Sequence, residues 1–305
     1  MNNAIFLSFD DNYAHFAKSC INSIVSNYPN YPDLLVNYSG ENKNILGFLE
    51  NVKNLKQVKV SRTHDYQVGP IVNQIVFDRF ELWNEFELEY DNILHLDVDT
   101  IVLKSLDHLF SDNSFYAVSD THPLTRILKI HDRSLPHSPA SIFPEKMEQY
   151  IKEDDLAGIA DQHKMMNAGV FVLPKRWRTP AAYTQLIYLA QRYHEHVAYA
   201  DQSLISIWAM QQGLSISTEI YNNFQMVFFL NEDIDVDINK IAILHFTGDS
   251  KFDHKYSGNY SPYQQLIFDQ GNKIRSYYRL ARENNDQVFW HLRAIKDILD
   301  ANRKL

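Results

Sequence analysis

NILHLDVDTIVL, residues 92–103, is the stretch that decides the fold. It is apolar almost throughout, as expected of a strand at the centre of a sheet covered on both faces, yet it carries Asp97 and Asp99. Side chains two apart in a strand project to one face, so the two carboxylates can present their oxygens together while Val98 points away into packing. Such a pair at the end of an apolar strand repels itself and loses hydration unless a cation or a solvated cleft accommodates it. A divalent ion resolves the conflict. Hard oxygen ligands suit Mg²⁺ or Mn²⁺, which leave coordination positions free for phosphate oxygens. The Asp-x-Asp pattern alone is weak, because an acidic chain often carries it in a solvated loop; its context gives it weight. His95 shares the period-two face of the pair, although a lone strand histidine is more often packed than catalytic.

Upstream, AIFLSF (4–9) reads as a buried strand, and DDNYAHFAKSCINSIVSNYP (10–29) as a loop entering a helix with apolar residues at helical spacing. DLLVNYSG (33–40) and LKQVKVSRTH (55–64) are expected strands, separated by the helical NKNILGFLENV (42–52). PIVNQIVFDRFELWNEF (70–86) carries apolar residues every three or four positions and should be a helix feeding the strand at 92–103. Alternation of this kind predicts an α/β fold, a single mostly parallel sheet with helices on both faces. Downstream, Thr121 to about Lys164 is rich in Pro, His and charge, with FPEKMEQYIKEDDL its only helical hint; long irregular insertions are often binding loops. NAGVFVLP (167–174) resumes a strand. PAAYTQLIYLAQRYHEHV (180–197) and DQSLISIWAMQQG (201–213) are helices, IAILHFTG (241–248) is the last clear strand, and the chain is helical from Pro262. A catalytic domain over 1–260 with a helical C-terminal extension over 261–305 is therefore expected.

The 305 residues suffice for one large domain with a full core. Hydrophobic residues at 45% and charged residues at 22% are ordinary globular values. A formal net charge of -9 argues against general nucleic-acid binding, which needs clustered Lys and Arg. Cys20 is the only cysteine, so no intramolecular disulfide forms, which fits a reducing compartment. The N-terminus has no basic region or cleavage pattern of a secretory signal, and no run of about 18 apolar residues occurs. The expectation is a cytoplasmic protein whose membrane contact, if any, is peripheral.

Further segments fall into order around the carboxylate pair. FDDNYAHF (9–16) follows the first strand directly, where doubly wound sheets bind nucleotides. FDRFELWNEF precedes YDNILHLDVD, FYAVSDT follows it, and MNAGVFVL, ADQSLI and ILHFTGDSKF come after. Together these resemble the retaining glycosyltransferases of family 8, over most of residues 4 to 256. The resemblance implies a GT-A type, Rossmann-like fold and a UDP-sugar donor. It assigns the nucleoside to Asp10, Asn12 and Tyr13 of the D-x-N-Y turn, and makes Arg79 the counterpart of an Arg on the helix before the metal strand. It places Asp120 at the donor sugar, Asn167 facing the sugar, and Gly169 where the backbone must approach closely. Asp201 and Gln202 match the family's D-Q-D-x-L element beside the anomeric carbon, though Asp201 could equally cap the following helix. His245, Gly248 and Lys251 match its H-x-x-G-x-x-K close. An imidazole is a credible third ligand beside Asp97 and Asp99, and Lys251 can reach the diphosphate as a point charge. The sequence departs from the family at Phe252 and Asp253, which replace Pro-Trp.

The expected activity is metal-dependent transfer of a hexose, glucose or galactose, from a UDP-sugar to an acceptor hydroxyl with retention, Mn²⁺ or Mg²⁺ serving as cofactor. The acceptor would be a glycan, a lipid-linked glycan or a protein. Gln202 would be a poor nucleophile, so same-face attack assisted by the leaving phosphate is favoured over a covalent intermediate on Asp201 or Asp120. A catalytically silent nucleotide-sugar-binding scaffold is the alternative of another class. A nucleotidyltransferase lacks its glycine-rich basic loop here, and an inverting enzyme would need a base from the His131 to His137 loop. The tail beyond residue 273 mixes Arg275, Arg279, Arg282 and Arg293 with Tyr277, Tyr278, Phe289 and Trp290. It can be read as an interfacial helix or, because acids are interspersed, as a helix packed on the domain or on a second subunit.

Overall fold

The computed structural model describes residues 1–60, 74–111, 113–119, 166–193, 200–214, 226–227 and 242–245. Its centre is a six-stranded, mostly parallel mixed sheet in the order β3-β2-β1-β4-β7-β6. These strands are β1 (Asn3–Phe9), β2 (Asp33–Tyr38), β3 (Leu55–Gln57), β4 (Asn92–Leu96), β6 (Tyr116–Ser119) and β7 (Met166–Pro174). The first four are parallel to one another, and β7 runs antiparallel to both β4 and β6. A second sheet has the order β5-β9-β8, from β5 (Thr100–Val102), β8 (Met226–Val227) and β9 (Ile243–His245).

Strand period two sorts the core into two layers. Ile5, Leu7 and Phe9 of β1, Leu94 and Leu96 of β4, and Val170 and Val172 of β7 pack with α1 (Ala14–Asn27) and α2 (Lys43–Glu50). Ala4, Phe6, Ile93, Phe171 and Leu173 pack on the opposite side, against α3 (Pro180–Tyr193), α4 (Ala200–Gln211) and a tight helix over Gln74–Trp83. Both faces are covered, which is why β4 and β7 are buried along their whole length.

The helix expected over 70–86 is wound as 3₁₀ across Gln74–Trp83. Three residues per turn bring positions i and i+3 into register, so Phe77, Phe80 and Trp83 form one buried column, with Phe77 and Phe80 edge to face at 5.3 Å. The same winding gives Arg79 its own column. β3 ends at Gln57, sooner than the strand expected over 55–64, and residues 61–64 lie outside the described residues.

The strand expected over 92–103 is two strands, and this corrects the reading of Asp97 and Asp99 as alternate residues of one strand. β4 makes its last ladder bond from Asp97 N to Gly169 O at 2.7 Å. Val98 and Asp99 then turn, and Thr100 Oγ1 closes that turn by donating to Asp97 O at 2.7 Å. Beyond it β5 leaves the large sheet and pairs antiparallel with β9, Thr100 opposite His245. Val98 is buried in the core, so it does point away from the two carboxylates. Helix α1 holds β5 in place: Asn27 Nδ2 donates to Val102 O at 2.7 Å and Ser23 Oγ accepts from Val102 N at 2.9 Å.

The opposite end of β4 is secured by Arg178, 1% exposed. Its guanidinium donates to the carbonyls of Phe86, Glu87 and Tyr90. Two residues of that turn, Glu85 and Glu87, adopt positive φ of 51° and 45°, unfavourable for side chains other than glycine. The guanidinium fork holds the turn in this conformation. No helix among the described residues is long and apolar enough to cross a membrane. Replacing Arg178 by Met keeps the packing stem but strands buried carbonyls, and is expected to cost about 3 kcal/mol in urea unfolding.

Candidate active site

The sheet order reverses at β1, whose neighbours are β2 and β4, and the carboxyl ends of these parallel strands lie along one edge. That edge is where open α/β sheets bind ligands. Asp10 to Tyr13 follow β1 there. Asp10 Oδ1 accepts from Asn12 N at 3.0 Å and from Tyr13 N at 3.3 Å, which shapes the entry to α1. Tyr38, at the end of β2, donates to Asp11, and Asp11 Oδ2 accepts from Glu41 N at 3.2 Å.

Asp97 follows β4 on the same edge, and β7, running the other way, brings Asn167 to Gly169 past it. Asp97, Asp99 and His245 each offer a ligand atom, all within 4.8 Å of one another. His245 Nε2 lies 3.2 Å from Asp99 Oδ1 and 3.7 Å from Asp97 Oδ2. Asp99 and His245 are buried, whereas the Asp97 side chain is 30% exposed, so the cluster has one open side. Gly169 makes the approach feasible. A Cβ there would sit 2.8 Å from both Asp97 Oδ2 and His245 Nε2, and closer still to His245 Cε1.

Arg79 is buried beneath this cluster. One guanidinium nitrogen meets Asp97 Oδ1 at 2.9 Å, and the other meets Ala168 O at 2.7 Å and Asp201 Oδ2 at 3.1 Å. Burial works against the guanidinium charge, but Asp201, Asp97 and Asp99 together raise its pKa above the ordinary value. Burial likewise opposes the charge on Asp97, yet Arg79 and the flanking histidines hold its carboxyl well below the usual carboxylate range. His95 is pushed down to about 4, by burial first and then by the charge of Arg79, so its ring is neutral at pH 7. Asp201 goes the other way. Burial lifts it to about 6 despite Arg79, and Asp97 adds to the lift.

Asp201 lies in the first turn of α4. Gln202 Oε1 accepts from Ala168 N at 3.1 Å, and Asn167 Oδ1 accepts from Gly169 N at 2.9 Å. Asn167, Gly169, Asp201, Gln202 and Arg79 are thus brought around Asp97, while Asp10, Asn12 and Tyr13 lie beyond the end of β1. Asp120, Gly248 and Lys251, and the whole segment 261–305, lie outside the described residues. Thr100 escaped the sequence reading, and its signal was a hydroxyl residue directly after the second aspartate.

A divalent cation fits these residues. Two carboxylates and one imidazole form a mainly hard donor set, their spacing suits a single ion, and Gly169 leaves the space a side chain would fill. The glycosyl transferase family 8 model matches residues 4–255. The chain belongs to glycosyltransferase family 8. Among solved structures, an active-site mutant of LgtC is similar with a TM-score of 0.57 and 18% identity, covering 80% of this chain and 87% of that one. The galactosyltransferase LgtC in complex with donor and acceptor sugar analogs gives 0.56 and 19% over the same shares. Mouse xyloside xylosyltransferase 1 gives 0.50 and 13%, covering 83% of this chain and 100% of that one. At these identities the likeness concerns the fold. No curated protein matches the chain in sequence.

Two measurements probe this family 8 site. Gly169→Ala is expected to weaken Mn²⁺ binding at least ~10-fold in titration calorimetry, since Asp97 and His245 must separate to admit the methyl group. Asp201 has a folded pKa above its ordinary value, so its contribution to stability is full below about pH 4 and is lost as pH rises through about 6. Asp201→Asn should therefore be about 1–3 kcal/mol more stable than wild type at pH 8 in metal-free urea unfolding, and the gap should close on acidification.

Proposed function

We propose that this chain is a metal-dependent hexosyltransferase that moves glucose or galactose from a UDP-sugar to an acceptor hydroxyl with retention of configuration. The observation that carries the reading is the convergence of Asp97, Asp99 and His245 at the sheet edge, beside the turn that follows β1. The donor and acceptor sugar analogs bound by LgtC support a sugar donor and an acceptor for this chain. Asp97, Asp99 and His245 would hold Mn²⁺ or Mg²⁺. When bound, the ion supplies Lewis-acid neutralisation of the charge on the departing diphosphate.

The remaining work falls to the chain. Asp10, Asn12 and Tyr13 hold the nucleoside at the end of β1, the position where such sheets take nucleotides. Arg79 keeps Asp97 ionised and anchors the β7 segment through Ala168 O. Asn167 and Gln202 are each tied to the β7 backbone through the side-chain oxygen, which sets both amides beside the donor sugar in this reading. Asp201 faces Arg79 at 3.1 Å, which disfavours it as a covalent nucleophile. Same-face attack assisted by the leaving phosphate is therefore the preferred course, with the dipoles of the site prearranged for the developing charge. Asp120 at the donor sugar, and Gly248 and Lys251 at the diphosphate, complete the set on the family pattern. Residues 1–260 form the catalytic unit in this reading, and 261–305 a helical extension that packs on the domain or meets an acceptor-bearing surface.

A panel of UDP-sugars scored by UDP release, with and without Mn²⁺, tests the proposal. One hexose donor should be turned over with Mn²⁺ and not with chelator. Asp99→Asn should lower that rate at least ~100-fold, the scale of losing a main electrostatic stabiliser. Inertness toward every donor would instead leave a nucleotide-sugar-binding scaffold.

A further inference from the structure

His95 has no step in the reaction proposed above, yet it is buried in contact with Asp97. It is 2% exposed, on the β4 face that also carries Asp97. Its ring lies between Phe171, 4.9 Å between centroids, and Phe6, at 6.0 Å. Nε2 is 3.2 Å from Asp97 Oδ1, while Nδ1 is buried with no hydrogen-bond partner among the described residues. Arg79 reaches the same Oδ1 at 2.9 Å. The other oxygen, Oδ2, is the one that faces His245 and Gly169.

We propose that His95 is a positioning residue: as the Nε2–H tautomer it donates to Asp97 Oδ1 and, with Arg79, occupies that oxygen so that Asp97 offers only Oδ2 to the cation. This rests on the reading of Asp97 as a metal ligand. The surroundings select the tautomer. With its proton on Nδ1, the ring would bury an unpaired N–H among aromatic rings and turn a lone pair toward a carboxylate oxygen; both cost free energy. With the proton on Nε2, the only unmet group is an acceptor. Two donors on one carboxylate oxygen then fix the carboxylate plane, since rotation would break both bonds. Groups that orient a ligand in this way typically change metal affinity by about 10–100-fold.

The test uses the full chain and Mn²⁺ as the probe, with affinity from titration calorimetry, the bound-ion spectrum from electron paramagnetic resonance, and thermal unfolding as the fold control. His95→Phe fills the slot between Phe6 and Phe171 without a donor. It should unfold near the wild-type temperature, bind Mn²⁺ roughly 10-fold or more weakly, and give an altered resonance spectrum. His95→Gln places an amide N–H near the position of Nε2 and should recover most of the lost affinity. In the metal-free protein, ¹⁵N spectra of the His95 ring should show a protonated Nε2 and an unprotonated Nδ1. Wild-type affinity in His95→Phe, or no recovery in His95→Gln, would overturn the proposal while Asp97→Asn still abolished binding. If wild type and Asp97→Asn bound Mn²⁺ equally, or neither bound it, the reading of Asp97 as a ligand would fall, and this proposal with it.

Discussion

A buried carboxylate stays charged where positive charge or hydrogen-bond donors are built in beside it, and Arg79 supplies both beneath Asp97. Much of the site's architecture follows from placing this one guanidinium. The 3₁₀ winding of Gln74–Trp83 sends its aromatic column into the core and leaves Arg79 outside that column, its guanidinium reaching Asp97. The carbonyl of Ala168 takes one of its donors, which ties β7 to the same point, and Asp201 of α4 balances the remaining charge. Four elements thus converge on one cation. Losing it would leave Asp97 and Asp201 to repel each other in a poorly hydrated space.

The hydrophobic layers act on the site by fixing heights and angles. On the β4 face that carries Asp97, the ring of His95 packs against Phe6 of β1 and Phe171 of β7. On the opposite face, Val98 is anchored among the side chains that pack with α1. The turn between β4 and β5 is therefore held from both sides of the sheet, and the carboxylates at its two ends have little freedom to drift apart. Fixed donors and acceptors of this kind need little reorganisation when charge develops nearby.

Much of this was legible in the sequence, for identifiable reasons. The apolar stretch around residues 92–103 announced a buried strand because burial on both faces leaves no polar alternation, and the helices and strands of the N-terminal half followed from ordinary periodicity. Asp97 and Asp99 could be paired from their spacing, but His245 could be joined to them only through a family resemblance, since nothing in local spacing brings residues so far apart together. Less legible was the break at Asp97. The residues on either side of it are equally apolar, and what tells two strands from one is the turn that Thr100 Oγ1 closes on Asp97 O and the pairing of β5 with β9. The 3₁₀ winding was hidden too, because apolar residues every three or four positions suit either helix. His95 read as a packed histidine, and packed it is; its contact with Asp97 depends on a side-chain orientation that no pattern encodes.

The break at Asp97 also bears on the order in which the molecule is made. β1 to β4 all lie in the first third of the chain and β7 follows to complete the edge that carries Asp97, whereas β9, which brings His245, comes late in the chain. Contacts between distant segments form slowly, because a long loop must close before any interaction offsets its entropy. A chain still emerging from the ribosome can thus fold its large sheet and place Asp97 well before the imidazole arrives. The cluster of three is complete only once β9 pairs with β5, so a chain that ends before β9 would carry the aspartates without the imidazole.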